Sequence, residues 1–331
     1  RYHKVTGVQT CALPILMESA KEDLSLFSID HWYPLLKKNT VKTEFIRASP
    51  LFVDYILSDG IVLPKNETIS FDDPRKVVHR GSVSSEEEGD DSTTEDEVSF
   101  LEIEEEIQNV IDSFEGDCFV RSNWSSAKDA FWITGSLKCT TPGHVFLLMK
   151  SSDRINNDYQ RLAQNPTLTP YIVLQRWCNY YPSMEFCLYI KGGMLKAISQ
   201  KDTSVYYPFL KEKESELVPL LQRFVDEQVC PVFPAEDFEM DVYIDKQQRV
   251  WVVNVNPLDD EMNPGLFSVE EVRAMGEKSP FQFRVVEEEG HVLPSEHMVY
   301  QLPVDMHHLA SETAVEEYIH EIGRASCRER V

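Results

Sequence analysis

Residues 239–257 (EMDVYIDKQQRVWVVNVNP) constrain this chain more than any other stretch: two runs rich in β-branched and aromatic residues, separated by a polar Lys-Gln-Gln. Such a pattern forms an antiparallel hairpin. With Gln247 and Gln248 as a two-residue turn, Asp241 falls opposite Asn254. Alternation then sets Asn256 on the same face, while Val242, Ile244, Trp251, Val253 and Val255 point into a core. Three oxygen-bearing side chains on one sheet face can hold a hard cation such as magnesium, which keeps waters and draws the rest of its shell from phosphates. Spacing alone fits a plainer arrangement better, with Asn254 and Asn256 serving the Asn-Pro turn and Asp241 an exposed carboxylate.

The segments around this hairpin mix helices and strands without regular alternation, which argues for an α+β fold. A helix carries Phe52, Tyr55, Ile56 and Leu57 and stops at Ser58-Asp59-Gly60; a second spans 100–114 with Leu101, Ile107, Ile111 and Phe114 on its apolar face. Strands are expected over 118–121, 131–134, 144–150, 171–177, 185–190, 194–199, 239–244 and 249–255. A third helix is expected over 214–228, with Leu217, Leu220, Leu221, Phe224 and Val225 at helical spacing. At 331 residues and 42% hydrophobic, the chain can bury one large core or two modest ones. Residues 61–99 are too polar to pack, and 86–97 hold eight acidic residues and no basic one, so 82–99 reads as an acidic disordered loop. Ser84 and Ser85 precede that run and suit an acidophilic kinase, although a merely solvating tract explains the composition as well. Residues 1–16 and 321–331 read as non-native tails and are left out of the fold argument.

Thirty-two basic against 56 acidic residues give a formal charge of -24. That balance repels nucleic-acid phosphates and anionic membranes and favours a basic protein surface as partner. Seven cysteines without CxxC spacing suggest neither a zinc site nor a disulfide framework, and fit a reducing compartment. No run approaches the roughly 20 apolar residues of a membrane helix, so the expected location is the cytoplasm.

Two further stretches have the composition of ligand contacts. Residues 118–130 (CFVRSNWSSAKDA) lead from a short apolar strand into a polar loop with Arg121, Asn123, Trp124, Ser126 and Lys128, whose donors could wrap a phosphate chain. An ordinary surface loop looks similar, and Trp124 serves equally as a core anchor. Residues 171–178 (YIVLQRWC) begin as a buried strand and end polar, offering backbone groups to an adenine edge. In 185–190, Glu185, Cys187 and Tyr189 share one face, where a carboxylate can accept ribose hydroxyls or simply face water. No arrangement for nucleophilic catalysis stands out.

Taken together, NWSSAKDAFWI, SLKC, FLLMKSSD, LQRWC, EFCLYI, AISQKD and VWVVNVNP, with HWYP at 31–34 and SDG at 58–60, resemble the cell division cycle protein 123 family across roughly residues 24–302. The resemblance implies an ATP-grasp type fold, two lobes of mixed or antiparallel sheet flanked by helices with a nucleotide cleft between them. It also implies ATP and Mg2+ as cofactors. The implied role is assembly of eukaryotic translation initiation factor 2 through its gamma subunit, supporting translation initiation and cell-cycle progression, by a protein that is monomeric when free. On that pattern residues 17–81 form the N-terminal helical part of the first lobe, 100–170 its remainder, 171–302 the second lobe, and 303–320 a C-terminal helix. Carried over by position, phosphate contacts fall on Arg121, Asn123, Trp124, Ser126 and Lys128, and the adenine hinge on Gln175, Arg176, Trp177 and Cys178. The ribose carboxylate falls on Glu185, a further polar contact on Asp202, and the magnesium ligands on Asp241, Asn254 and Asn256. Three departures stand out: Arg121 replaces a lysine, Lys201 an arginine, and Asn254 an aspartate, removing one negative charge from the metal shell. An ATP-dependent ligase acting through an acyl phosphate and a nucleotide-free pseudo-enzyme are the competing readings.

Overall fold

Short polar caps start four of the nine α-helices among the described residues. Ser49 accepts from the Phe52 N–H at 3.2 Å, with Pro50 following it, Thr141 accepts from the His144 N–H at 3.3 Å, and Ser152 accepts from the Ile155 N–H at 3.2 Å. Each satisfies a donor that the first helical turn leaves free. The computed structural model describes residues 24–60, 100–259, 264–276 and 278–288. The acidic run, Ser84 and Ser85, the helix expected over 303–320 and both terminal tails lie outside those residues.

In chain order the elements are α1 (Ile29–Leu36), β1 (Thr43–Arg47), α2 (Pro50–Leu57), α3 (Leu101–Ser113), β2 (Cys118–Arg121), α4 (Phe131–Thr134), β3 (Lys138–Cys139), α5 (Pro142–Lys150) and α6 (Asp153–Gln164). There follow β4 (Tyr171–Arg176), β5 (Glu185–Lys191), β6 (Met194–Gln200), α7 (Phe209–Glu212), α8 (Glu214–Phe224), β7 (Phe238–Ile244), β8 (Val250–Asn256), α9 (Val269–Ala274) and β9 (Gln282–Arg284). They build two sheets, one ordered β1-β4-β2-β3 and one ordered β8-β7-β5-β6-β9, in which only the β6–β9 pairing is parallel. The arrangement agrees with the α+β, two-lobed expectation. No helix among the described residues is long and apolar enough to cross a membrane.

Each sheet has its own core. One face of the first sheet, with Ile46, Cys118, Val120, Ile172 and Leu174, packs under α2, α3, α5 and α6 around an aromatic cluster. There Phe52 meets Phe100 at 5.3 Å and Phe146 at 5.8 Å between ring centroids. The second core takes Phe186, Leu188, Ile190, Val242, Ile244, Val252 and Val255 from the second sheet and Leu217, Leu221 and Phe224 from α8. Trp32, Tyr33 and Leu36 of α1 and Val173 of β4 join it too. The lobe assignments therefore shift: α1, expected with the first lobe, buries its apolar face in the second core, and β4, expected with the second, pairs with β1 and β2 at the centre of the first sheet.

Two expected strands are helices. Residues 144–150 lie within α5, which is buried nearly all round, so its apolar run shows no 3.6-residue period and reads like a buried strand. Residues 131–134 form the single turn α4, which follows the 3-10 turn Lys128–Ala130 and stops at Gly135, whose φ of 68° suits glycine. In α3, Leu101 is 55% exposed and Ile103 takes its place on the buried face with Ile107 and Ile111. The helix expected over 214–228 is present as α8 and ends in the π-helical turn Val225–Val229.

The β7–β8 hairpin keeps the expected pairing of Asp241 with Asn254 by a different route. The turn has three residues, 246–248, closed by the Asp245 N–H donating to the Arg249 carbonyl at 3.0 Å, and Gln248 adopts φ 59°. This pairs Val242 with Val252, and a β-bulge beside Asp241 then adds a residue, so that Asp241 meets Asn254 and Glu239 meets Asn256. Val250 and Val252 therefore enter the core, whereas Trp251 and Val253, expected there, are only half-buried. A left-handed backbone is costly for a residue with a Cβ. Gln248→Gly is expected to raise unfolding stability by about 0.5–1 kcal/mol in urea titrations; an unchanged or lower midpoint would show that the turn carries no such strain.

Candidate functional site

The polar face of the second sheet is assembled by strand alternation. β5 contributes Glu185, Cys187 and Tyr189; β7 contributes Glu239 and Asp241; β8 contributes Asn254 and Asn256, with Cys187 and Asn254 flanking Asp241 across the strands. A directional chain of hydrogen bonds runs through it. Arg121 Nη2 donates to Asn254 Oδ1 at 2.8 Å, Asn254 Nδ2 donates to Asn256 Oδ1 at 2.8 Å, and Asn256 Nδ2 donates to Glu239 Oε1 at 2.6 Å. Lys201 Nζ lies 2.9 Å from Asp241 Oδ1 as an ion pair with both side chains largely buried. Asp241, Asn254 and Asn256 thus converge, joined by a fourth residue, Glu239. Among the described residues no three His, Cys, Asp or Glu side chains are placed to hold a metal ion together; the oxygen donors that converge here are two carboxylates and two amides.

Burial sets the electrostatics. It pushes the Glu185 carboxyl up to about 7, against the pull of Lys128, with the charge on Asp241 adding to the rise and Lys201 opposing it. Glu239 is likewise pushed up to about 7 by burial and then by Asp241, against Lys201 and the hydrogen bond from Asn256. Burial brings Arg121 down to about 10, against the attraction of Asp158. Glu185 therefore lies within the electrostatic reach of Lys128 from the first lobe and of Asp241, Lys201 and Asp202.

On the first-lobe side, Arg121 ends β2 and its guanidinium crosses to the second sheet, where Nη1 also donates to the Val253 carbonyl at 3.4 Å. The loop after it turns back so that Ser126 bridges to Arg121. Asp158 of α6, only 2% exposed, holds this turn by accepting from the Ser125 N–H at 2.8 Å and from the Ser122 hydroxyl. Lys128, half-buried, follows in the 3-10 turn. These residues bring Arg121, Lys128 and Glu185 to the same region as the carboxylate and amide cluster.

Other candidates are engaged in the fold. Asn123 donates to Ser28 Oγ and the Thr169 carbonyl, each at 3.0 Å, and accepts from the Tyr171 N–H at 3.1 Å. Trp124 donates from Nε1 to the Leu24 carbonyl at 3.0 Å and packs against the second core. Gln175 donates to Thr43 Oγ1 at 3.1 Å, Arg176 faces outward in a 2.8 Å pair with Glu115, and Trp177 donates to Asn179 Oδ1 at 3.0 Å. Cys178 is half-buried, and burial holds its thiol above the usual range. Asp202 braces its own loop, accepting from the Ser204 N–H at 3.1 Å and the Tyr207 hydroxyl at 3.0 Å. Sequence reasoning missed Glu239, which period-two alternation from Asp241 could have placed, and Asp158, which no local pattern reveals.

A cavity of about 370 Å³ opens elsewhere, lined by Lys38, Arg223, Arg249 and Trp251 among others, at the opposite end of β8 from Asn254 and Asn256.

The comparisons with known proteins agree with one another. The family model D123 matches residues 32–310. A translation initiation factor eIF2 assembly protein of Xenopus tropicalis is 31% identical over 304 residues, covering 86% of this chain and 91% of that protein. A cell division cycle protein 123 of Aspergillus terreus is 34% identical over 280 residues, covering 79% of this chain and 65% of that protein. The solved structure of Cdc123 from Schizosaccharomyces pombe is similar with a TM-score of 0.65 and 28% identity, covering 80% of this chain and 98% of that one. With most of its length matched by the family model and by relatives above 30% identity, this chain belongs to the D123 family.

Proposed function

We propose that this chain is an assembly factor for eukaryotic translation initiation factor 2 that acts on the gamma subunit and binds ATP with magnesium in an ATP-grasp type cleft. The relatives' names support the assembly role. The observation that carries the nucleotide reading is the convergence of Asp241, Glu239, Asn254 and Asn256 beside Arg121, Lys128 and Lys201. Hard oxygen donors with an unpartnered buried carboxylate oxygen, Glu239 Oε2, fit a hard dication, and the neighbouring cations fit phosphates. Asp241, Asn254 and Asn256 would hold the metal, Lys128 would face the phosphate chain and Glu185 would accept from the ribose, while Arg121, buried and bonded to Trp124, Val253 and Asn254, would set the wall behind them. When bound, Mg–ATP would supply positive charge to the carboxylates and negative charge to the lysines of this face. This chain's own residues set the surroundings: Asp158 fixes the loop that leads to Lys128, and Lys201 neutralises Asp241. The acidic balance of the chain suits a basic surface on the partner.

Calorimetric titration of ATP with and without magnesium, before and after adding the gamma subunit, tests the reading. Magnesium-dependent binding together with capture of the gamma subunit and negligible turnover is the expected result. Capture of the gamma subunit without any heat of ATP binding would overturn the nucleotide half, and ADP release that depends on an added acceptor would point to a ligase. Asp241→Ala is expected to weaken ATP binding in magnesium by at least about tenfold while leaving the smaller magnesium-free affinity in place; equal loss in both conditions would argue against a metal ligand.

Glu185 gives a pH-dependent test. Its folded value, raised from 4.5 to about 7, makes the ionised form costly in the folded state. The cost is absent below about 4.5, grows between 4.5 and 7, and is full above 7. Glu185→Gln is therefore expected to equal the parent in stability at pH 4 and exceed it by up to about 3 kcal/mol at pH 8, while binding ATP more weakly. Thermal melts across that range check the sign, and a variant less stable at pH 8 would show that the carboxylate is well compensated.

A further inference from the structure

We infer that Glu239 is the second carboxylate of the cation site and supplies the negative charge that Asn254 does not carry; the inference rests on the nucleotide and metal reading of this face. Glu239 and Asp241 are alternate residues of β7, so their side chains leave the same side of the strand about 7 Å apart. Glu239 stands opposite Asn256, as Asp241 stands opposite Asn254. It is 2% exposed, and its two oxygens differ: Oε1 accepts from Asn256 Nδ2 at 2.6 Å, and Oε2 is buried with no hydrogen-bond partner among the described residues.

Burying a carboxylate oxygen with nothing to satisfy it costs several kcal/mol, and a fold keeps such a group where something else binds it. A cation is the matching partner, because the residues on either side are themselves oxygen donors: the Asp241 carboxylate, whose other described contact is the Lys201 ammonium, and the Asn256 amide. A magnesium or manganese ion with ligands at ~2.1 Å needs oxygens converging from neighbouring positions, which i and i+2 on one strand, with their cross-strand partners, provide. The amide at Asn254 lowers the charge of the trio read from the sequence to that of a single carboxylate. Glu239 restores it to two.

A structural role would have Glu239 merely orient Asn256. Glu239→Gln separates the two, since glutamine keeps the Oε1 acceptor for Asn256 and exchanges the anionic Oε2 for a neutral NH2 that cannot ligate a cation. The probe is Mn2+ alone, titrated into the full chain and followed by loss of the free-ion electron paramagnetic resonance signal, with thermal melts alongside. Glu239→Gln is expected to weaken Mn2+ binding by about tenfold or more and to lose the Mn2+-dependent rise in Tm expected of the parent, without a lower Tm in the absence of metal. Adding Asn254→Asp to Glu239→Gln is expected to recover the binding, because it returns the count of carboxylates to two. Parent-like Mn2+ binding by Glu239→Gln, with binding lost in Asp241→Ala, would overturn the role of Glu239 and leave the proposed metal site standing. No Mn2+ binding by the parent would overturn Glu239 as a ligand of the free ion, and the calorimetric titration of ATP with magnesium then decides the nucleotide reading separately.

Discussion

Arg121 leaves the end of β2 in the first sheet and reaches the β-bulge of β8 in the second, where a guanidinium 3% exposed has to be satisfied. Its Nη2 donates to the Trp124 carbonyl at 2.6 Å and to Asn254 Oδ1 at 2.8 Å, and Nη1 reaches the Val253 carbonyl. An isolated buried charge costs far more than the fold can spare, so these acceptors and the attraction of Asp158 and Asp241 are what make the position tolerable. The bulge matters here because it frees Val253 from pairing. A compact ammonium could not serve carbonyls on both lobes and a side-chain amide at once, whereas a planar fork can. Arg121 and Asn254, two of the departures that the resemblance implies, are therefore in contact and form one arrangement.

The same bridge sets the charge balance of the polar face. Two carboxylates, Glu185 and Glu239, are held up near 7 chiefly because they are buried, with Lys128 and Lys201 only partly compensating. Lys201 is paired with Asp241, and Arg121 spends its Nη2 donor on an amide and a carbonyl, so no hydrogen-bonding cation reaches Glu239 Oε2 among the described residues. A face that accumulates buried oxygen donors beyond its own cations is poised to gain from an added cation, since each carboxylate regains interactions it lost with water. That gain is available only where the strands put the donors side by side. Here β7 and β8 do so through a register that the three-residue turn and the bulge fix together.

Local pattern made part of this legible. The α+β class, the helix face with Ile107 and Ile111 but not Ile103, the face of 217–224 and the hairpin all follow from periodicity, and the facing of Asp241 and Asn254 is kept although the turn has three residues instead of two. It survived because the longer turn and the added residue at the bulge offset each other, and the same pair of events turned Trp251 and Val253 out of the core. Residues 144–150 were hidden because a helix buried all round has no polar stripe to mark its period.

The remainder is non-local in origin. Asn123 sits in a loop composed like a phosphate contact, yet its amide closes the joint between Ser28, Thr169 and Tyr171, the farthest of which lies 95 residues from it in the chain. Arg121 and Asn254 lie 133 residues apart. Alternation can say that Glu239 shares a face with Asp241, but not that the face is covered closely enough to leave one oxygen without a partner. Burial of that kind depends on which elements stack over the sheet, and a single sequence records the face of each strand without recording what lies across from it. The neutral amide of Asn254 and the carboxylate of Glu239 belong to different strands, and only the register of β7 against β8 makes them neighbours.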